Sequence, residues 1–228
     1  VPFYFFQDLI LRLSGMKYQF KVEFAKDYST NEYGDSTEEL VYFEIYDIFS
    51  QAENYVDPMT NHTIPSLLYW DDHTGRLIKK GYYNKGVWNN HVNSDGETIP
   101  AYTHYYSDGT ISYIAYAIDG KFNNYNDPDT GEVIPAEREW WSNGNIARVE
   151  YSINNKLNNH FDKETNTIIP AYRFWWNNGL RGRHIYHING TEISNNDFMT
   201  LYHTCLLYTS DAADDSLRVD LGGRRIIK

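Results

Sequence analysis

The sequence predicts an all-β fold: an elongated antiparallel β-meander, or single-sheet solenoid, of about four 35-residue hairpin repeats with an N-terminal capping β-hairpin. Three observations predict it. Ile-Pro recurs every 35 residues, turn signals recur in register with it, and aromatic residues make up 17% of the chain. Aromatic and β-branched side chains suit the pleated, half-buried surface of a sheet. The repeated dipeptides begin at Ile64, Ile99, Ile134 and Ile169.

The N-terminal part is predicted to cap the sheet. In residues 16–50, the segment MKYQFKVEF alternates apolar and polar residues and, with LVYFEIYDIF, predicts a β-hairpin. A cap protects an end strand from pairing with other chains. Residues 1–15 either lie upstream of a translation start at Met16 or form a short amphipathic helix over residues 3–14.

The repeat domain is predicted over residues 51–194, and each repeat carries two turn signals. The first is an Asp-Gly or Asn-Gly pair, which tolerates the positive φ of a two-residue type I′ turn. These structural turns are Asp108-Gly109, Asn143-Gly144 and Asn178-Gly179. The second turns are Asn84-Lys85-Gly86, Asp119-Gly120, Asn154-Asn155 and Asn189-Gly190. Each unit is therefore expected to hold two strands of roughly seven to nine residues and a polar loop.

A two-residue first turn predicts which residues face each other. On one face, small residues lie opposite aromatic ones in three successive units, as interdigitated packing requires. The predicted pairs are Tyr105 with Ser112, Trp140 with Ala147, Trp175 with Gly182, Ala101 with Tyr116, Ala136 with Tyr151, and Ala171 with Tyr186. We expect this face, extended by Ile118, Ile153 and Ile188, to form the core.

The other face is predicted to be a surface that mixes aromatic and charged residues. Its predicted pairs are Tyr106 with Ile111, Trp141 with Ile146, Trp176 with Arg181, His104 with Tyr113, Glu139 with Arg148, and Phe174 with Arg183. Aromatic and arginine side chains anchor protein interfaces, rings also bind sugars or quaternary ammonium groups, and a third alternative is that they cover one another. The candidate binding residues are Tyr102, Tyr106, Trp141, Arg148, Tyr172, Phe174, Trp176 and Arg183.

The C-terminal region is predicted to lie outside the fold. Residues 195–204 are assigned to a tail. Residues 205–228, CLLYTSDAADDSLRVDLGGRRIIK, resemble the translation of a sequencing adapter, and we expect them to be disordered. The one cysteine, Cys205, falls in this segment, so no thiol chemistry is expected.

No catalytic motif, metal site or cofactor site is predicted, and we expect a protein that is not an enzyme. Glu137, Glu139 and Glu150 are interpreted as strand-surface charges. The loop from Asp127 to Glu132 is interpreted as a turn and not as a calcium site. His184 and His187, three apart on a strand, are expected to be exposed on opposite faces.

The charge restricts the partners. Twenty Lys and Arg residues against 31 Asp and Glu give a formal net charge of −11. This balance argues against nucleic acid and against an anionic membrane surface as partners, since both attract basic patches. A protein partner is the leading expectation, with a glycan as the alternative and self-association through the sheet ends as a further one.

The segments YYSDGTISYIAYAIDGKFNN and WWSNGNIARVEYSINNKLNN resemble MORN-variant repeats, and the resemblance covers residues 64–194. Standard MORN repeats are shorter and richer in glycine. A second resemblance, to YD-type repeats, covers one unit, through Tyr69-Trp70-Asp71.

The MORN resemblance implies an elongated β-meander for protein–protein association, with antitoxin-like and phage or viral scaffold proteins among its relatives, in a bacterial or virus-infected cytoplasm. The sequence therefore predicts a non-enzymatic protein-interaction module. A carbohydrate or cell-surface binding module that uses the aromatic residues is the alternative.

Overall fold

The computed structural model describes residues 18–30, 36–47, 51–57, 61–71, 74–162, 164–194 and 196–200. The predictions for residues 1–15, for Met16 and for residues 205–228 lie outside this part of the chain. The predicted tail contains a short helix over residues 196–200. Within the described ranges, no helix has the length and apolar character needed to cross a bilayer.

The described chain consists almost entirely of β-strands. In order they are β1 (Tyr18–Thr30), β2 (Ser36–Asp47), β3 (Tyr55–Val56), β4 (Thr63–Ile64), β5 (Leu67–Trp70), β6 (Leu77–Gly81), β7 (Tyr83–Asn84), β8 (Val87–Trp88), β9 (His91–Val92), β10 (Thr98–Ile99), β11 (Tyr102–Tyr105), β12 (Ile111–Ala115) and β13 (Ala117–Ile118). They continue with β14 (Lys121–Phe122), β15 (Tyr125–Asn126), β16 (Val133–Ile134), β17 (Glu137–Trp140), β18 (Ile146–Glu150), β19 (Ser152–Ile153), β20 (Lys156–Leu157), β21 (His160–Asp162), β22 (Thr167–Ile169), β23 (Tyr172–Trp175), β24 (Arg181–Ile188) and β25 (Thr191–Ile193).

Eleven of these strands form one antiparallel sheet, in the order β1-β2-β5-β6-β11-β12-β17-β18-β23-β24-β25. The all-β meander that the sequence predicts is thereby confirmed. The hairpin β1–β2 lies at the N-terminal end of the sheet and pairs with the repeats through β5. At the other end, β25 pairs with the last residues of β24.

Each unit contains three hairpins and not one. The sheet hairpins, β5–β6, β11–β12, β17–β18 and β23–β24, supply the main sheet. The short hairpins, which follow them, are β7–β8, β13–β14 and β19–β20. The loop hairpins, whose second strand ends at the isoleucine of each Ile-Pro, are β3–β4, β9–β10, β15–β16 and β21–β22. The sheet strands have four or five residues, except β24 with eight, so the predicted length of seven to nine is wrong for most of them.

The strands are short because the chain leaves the sheet at a buried tyrosine. Tyr116 donates its backbone N–H to the carbonyl oxygen of Ala136 in the next unit, at 2.8 Å. Tyr82 and Tyr151 do the same toward Ala101 and Ala171. Within each unit, the ladder keeps the predicted register but ends one residue before the predicted alanine–tyrosine pair, at Tyr102 with Ala115, Glu137 with Glu150 and Tyr172 with Ile185.

The first turn is longer than predicted. The N–H of Gly109 bonds to the carbonyl oxygen of Tyr106, and the N–H of Tyr106 bonds to the carbonyl oxygen of Thr110. Gly109 has a φ of +91°, whereas Asp108 is not among the residues with positive φ. This arrangement is typical of a turn followed by a glycine bulge, so the prediction of a type I′ turn here is wrong.

The two-residue type I′ geometry occurs at the second turn instead. Asp119 and Gly120 have φ values of +50° and +75°, and Ile118 pairs with Lys121 across them. Asn154 and Asn155 likewise both have positive φ, at +52° and +64°. Asparagine tolerates this region because its short polar side chain bonds locally.

The longer first turn shifts the register next to it. His104 still pairs with Tyr113 and Glu139 with Arg148, as predicted. Closer to the turn, Tyr105 pairs with Ile111, Trp140 with Ile146 and Trp175 with Arg181. The predicted pairs of Tyr105 with Ser112, Trp140 with Ala147 and Trp175 with Gly182 are therefore wrong, as are those of Tyr106 with Ile111, Trp141 with Ile146 and Trp176 with Arg181.

The core lies on the predicted face of the sheet, here called the inner face. Thr103, Ser112, Ile114, Ala147 and Val149 are all buried there. The extension of this face to three isoleucines is wrong. Ile118 and Ile153 lie beyond the end of their sheet strands, and Ile188 is the last residue of β24. All three side chains are about half exposed, at 52%, 52% and 50%.

A repeated asparagine joins the three hairpins of each unit. The side-chain Oδ1 of Asn124 accepts the backbone N–H groups of Ala136 and Ser152, at 3.1 and 2.9 Å. Asn54, Asn90 and Asn159 make the equivalent pair of bonds in the other units. Each bridge pairs two backbone donors that the ladders leave unpaired, which would otherwise destabilise the fold.

In three units, the residue after the bridging asparagine packs on the buried tyrosine. Tyr125 stacks on Tyr116 with ring centres 5.3 Å apart, and His160 stacks on Tyr151 at 5.0 Å. At the C-terminal end, Phe198 of the short helix stacks on Tyr186 at 4.0 Å. The helix thus supplies the ring that a further unit would otherwise provide.

Candidate binding face

The aromatic and charged side chains lie on the opposite side of the sheet, here called the outer face. The short hairpins fold over part of it, and the indole of Trp88 lies directly on Gly81. A Cβ at Gly81 would collide with the Trp88 ring, so only glycine allows this contact. The first short hairpin and the sheet therefore bound a groove between them.

The groove has a volume of about 630 Å³ and mostly aromatic walls. Tyr83 and Trp88 have ring centres 4.0 Å apart, Trp88 and Tyr102 are edge to face at 5.1 Å, and Tyr102 lies 5.9 Å from Tyr113. The lining residues are Glu44, Leu67, Tyr69, Lys79, Tyr83, Trp88, Ala101, Tyr102, Tyr113, Ala115 and Phe122. Of the predicted binding residues, Tyr102 alone is in this set.

Next to the groove, Arg148 is surrounded by carboxylates. It lies 2.9 Å from Glu139, 2.5 Å from Glu150 and 4.0 Å from Glu137. The side chains of Glu137 and Glu150 are only 12% and 14% exposed. Three carboxylates against one guanidinium leave this acidic cluster with a formal charge of −2.

Tyr113 connects the acidic cluster to the groove. Its ring lines the groove, and its hydroxyl donates a 2.6 Å hydrogen bond to Glu137. Burial raises the pKa of Glu137, and the bond from Tyr113 offsets part of that rise. Burial, together with the hydrogen bond to Glu137, raises the pKa of Tyr113, so its phenol stays neutral.

Two of the predicted binding residues join one unit to the next. The hydroxyl of Tyr106 donates to the carbonyl oxygen of Trp140 at 2.6 Å. The indole Nε1 of Trp141 donates to the carbonyl oxygen of Trp175 at 2.9 Å. These contacts occupy the polar ends of both side chains, so Tyr106 and Trp141 have a structural role in the array.

The equivalent residue of the last described unit is Trp176, which lacks the side-chain bond that Trp141 makes. Its Nε1 has no hydrogen-bond partner among the described residues, and the side chain is 56% exposed. It lies edge to face with Phe174 at 5.2 Å, and Phe174 in turn meets Trp141 at 6.1 Å. Leu180, which pairs with Trp176 across the turn, is 64% exposed.

Phe174, Trp176, Leu180 and Arg183 together are here called the terminal patch. The side chain of Arg183 is 69% exposed, and its Nη2 lies 3.6 Å from Glu192. The patch therefore offers aromatic, aliphatic and cationic groups side by side. Tyr172, the remaining predicted residue, is half-buried between Glu150 and Ile185 of the neighbouring strands.

Two expectations about polar residues have different outcomes. His187 is buried, at 8% exposure, so the prediction that it is exposed is wrong. The carboxylate of Asp127 accepts the backbone N–H groups of Asp129 and Thr130, as the interpretation of this loop as a turn predicts. In the described part of the chain, no group of three or more His, Cys, Asp or Glu side chains is arranged to hold a metal ion.

Sequence reasoning missed most of the groove. Tyr83, Trp88 and Phe122 belong to the short hairpins, which the sequence assigned to the main sheet. The available signal was positional: Trp88, Phe122 and Leu157 each stand two residues after a second turn.

Comparison of the chain with protein-family models, with curated proteins and with solved structures gives no match in any of the three.

Proposed function

We propose that this protein is a non-enzymatic repeat module that binds another protein through the terminal patch. The observation that carries the proposal is the exposure of Trp176, whose counterpart Trp141 is bonded to the next unit. Tryptophan, tyrosine and arginine dominate the energetics of protein interfaces because they combine large apolar area with hydrogen-bonding groups.

The composition of the patch supports a protein partner. An exposed indole beside Leu180 and Phe174 gives an apolar centre, and Arg183 lies at its rim with most of its side chain in water. Interfaces commonly have this arrangement of an apolar centre and a polar rim. The predicted antitoxin-like or scaffold roles are both forms of such binding.

A matched pair of variants tests the proposal. Trp176→Ser with Leu180→Ser removes the apolar centre, whereas Ile118→Ser with Ile153→Ser removes similarly exposed apolar side chains elsewhere. We expect the immobilised native chain and the Ile118→Ser/Ile153→Ser variant to retain the partner, and the Trp176→Ser/Leu180→Ser variant to lose it. The melting temperatures of both variants should equal that of the native chain. Equal retention on both variants would contradict the proposal.

The exposed indole of Trp176 also supports the alternative function, glycan binding, because sugars stack on tryptophan rings. A glycan array probed with the native chain and the Trp176→Ser variant separates the two functions. Under the proposal neither chain binds a glycan. Glycan binding by the native chain that the variant loses would instead support the carbohydrate-binding alternative.

A further inference from the structure

We infer that the groove beside Trp88 is a second contact site, which receives the lysine or arginine side chain of the protein partner. The inference rests on the proposed function, because it names a chemical feature of the same partner. The groove is separate from the terminal patch: the two sets of lining residues have no member in common.

The walls of the groove are suited to a cation. Tyr83, Trp88, Tyr102 and Tyr113 form a continuous series of rings with centre-to-centre distances of 4.0, 5.1 and 5.9 Å. The face of an aromatic ring carries partial negative charge and attracts ammonium and guanidinium groups within about 6 Å.

The charges around the groove also favour a cation. Glu44 and Lys79 in the wall balance each other formally. The acidic cluster meets Tyr113 at two places: Glu137 accepts the bond from its hydroxyl, and the Arg148 guanidinium lies 5.9 Å from its ring centre. In sum the cluster adds a formal charge of −2. The chain as a whole carries −11, so a basic partner is attracted at long range as well.

The molecule itself already places an ammonium group against this wall. Lys79 Nζ lies 5.5 Å from the ring centre of Tyr69, and both residues line the groove. The groove lining thus already contains one ammonium–aromatic contact of the kind that the inference requires. This contact also makes Lys79 a competitor of an incoming cation, which can be tested.

The test compares small probes that carry a cationic group with one that has none. Nα-acetyl-lysine methylamide and the arginine counterpart are titrated into the full chain at constant ionic strength, while the indole N–H resonance of Trp88 is followed by NMR. The norleucine counterpart has the hydrocarbon chain of lysine without the ammonium. We expect a saturable shift with the cationic probes and at least a fivefold weaker response to norleucine.

Two variants assign the response to the groove. Trp88→Leu keeps an apolar side chain like that of Leu157 at the same place in the third unit, and we expect it to weaken lysine binding about fivefold, followed at other groove resonances. Lys79→Met removes the internal competitor and should tighten binding. Trp176→Ser, outside the groove, should leave the affinity for these probes unchanged.

Equal binding of norleucine and lysine, no shift with either cation, or weaker binding to Lys79→Met would each overturn the inference. Because these titrations do not involve the terminal patch, such a result leaves partner capture through Trp176 standing. Conversely, partner capture that is unchanged by the substitution of Trp176 contradicts the proposed function. The cation titration would still test the groove by itself.

Discussion

The indole Nε1 of Trp141 donates a hydrogen bond to the carbonyl oxygen of Trp175, 2.9 Å away and one unit further along the chain. A side chain on the turn of one unit thus binds the backbone of the next. Trp176 stands at the same place in the last described unit and keeps its indole in solvent. Tryptophan at this repeat position therefore links two units in the case of Trp141 and is exposed to solvent in the case of Trp176.

The first prediction compares these two tryptophans. Trp141→Phe removes the indole donor and leaves the Trp175 carbonyl without it, so we expect the free energy of unfolding to fall by about 1 kcal/mol. Trp176→Phe, the matched control, should change it by less than about 0.5 kcal/mol. Urea denaturation measures both, and an equal loss in the two variants would contradict the structural role of Trp141.

The second prediction concerns the bridging asparagines. Asn124→Ala leaves the N–H groups of Ala136 and Ser152, which are almost fully buried residues, without an acceptor. We expect a loss of about 2–4 kcal/mol, since each unsatisfied buried donor costs about 1–3 kcal/mol. Asn126→Ala, an exposed position on the same hairpin, is the control and should be nearly neutral. Similar losses in both would show that the bridge contributes little.

These asparagines show why part of the fold could not be predicted. The Ile-Pro period and the second turns mark the units because turn chemistry is local and depends on a few neighbouring residues. The role of Asn54, Asn90, Asn124 and Asn159 is not local, because each bonds to two backbone groups brought together by folding. The trace in the sequence was the recurrence of an asparagine, followed by Tyr or His, nine or ten residues before each Ile-Pro.

The third prediction concerns the acidic cluster. Arg148→Met leaves Glu137, Glu139 and Glu150 without their cation, and two of these carboxylates are mostly buried. We expect a loss of about 3 kcal/mol at pH 7. The exposed Arg183→Met is the control, with a change below about 0.5 kcal/mol.

The pH dependence of Arg148→Met follows from the direction of the pKa shift. The pKa of Glu137 is already raised by burial, so the folded state binds its proton more readily than the unfolded state. Such a group makes the fold less stable as pH rises through its pKa. We therefore expect acidification from pH 7 toward 5 to recover part of the loss in Arg148→Met, and a loss that is independent of pH would contradict the account.

The acidic cluster was only partly predictable. The pair of Glu139 with Arg148 follows from the hairpin register, which the sequence gives correctly at that distance from the turn. The approach of Glu150 and of Tyr113 to the same arginine depends on side-chain directions and on the neighbouring hairpin. The predicted pair of Trp140 with Ala147 is wrong because the turn has one more loop residue than expected. That residue moves the pair next to the turn by one position, so Trp140 pairs with Ile146.

The fourth prediction concerns His184. Burial, with Arg181 and Arg173 nearby, lowers its pKa from 6.5 to about 4. Between these values the unfolded chain binds a proton that the folded chain does not, so stability should fall as pH falls through this window. His184→Gln should show a shallower loss of stability between pH 7 and 4.5 in urea denaturation.

The comparison isolates His184 because the other shifted histidines are common to both chains. His91, His104 and His160 also have lowered pKa values through burial, so both proteins lose some stability in acid. Only the difference between the two pH profiles reports on His184. Superimposable profiles would show that it is protonated equally in the folded and unfolded states.

The most direct test of the central claim, that the terminal patch binds a protein, is site-specific photo-crosslinking. Benzoyl-phenylalanine is placed at position 176 in one chain and at position 118, which is similarly exposed, in another. In an extract that contains the partner, we predict one discrete crosslinked protein from position 176 and none from position 118. No crosslink from position 176, or the same crosslinked proteins from both positions, would contradict the account.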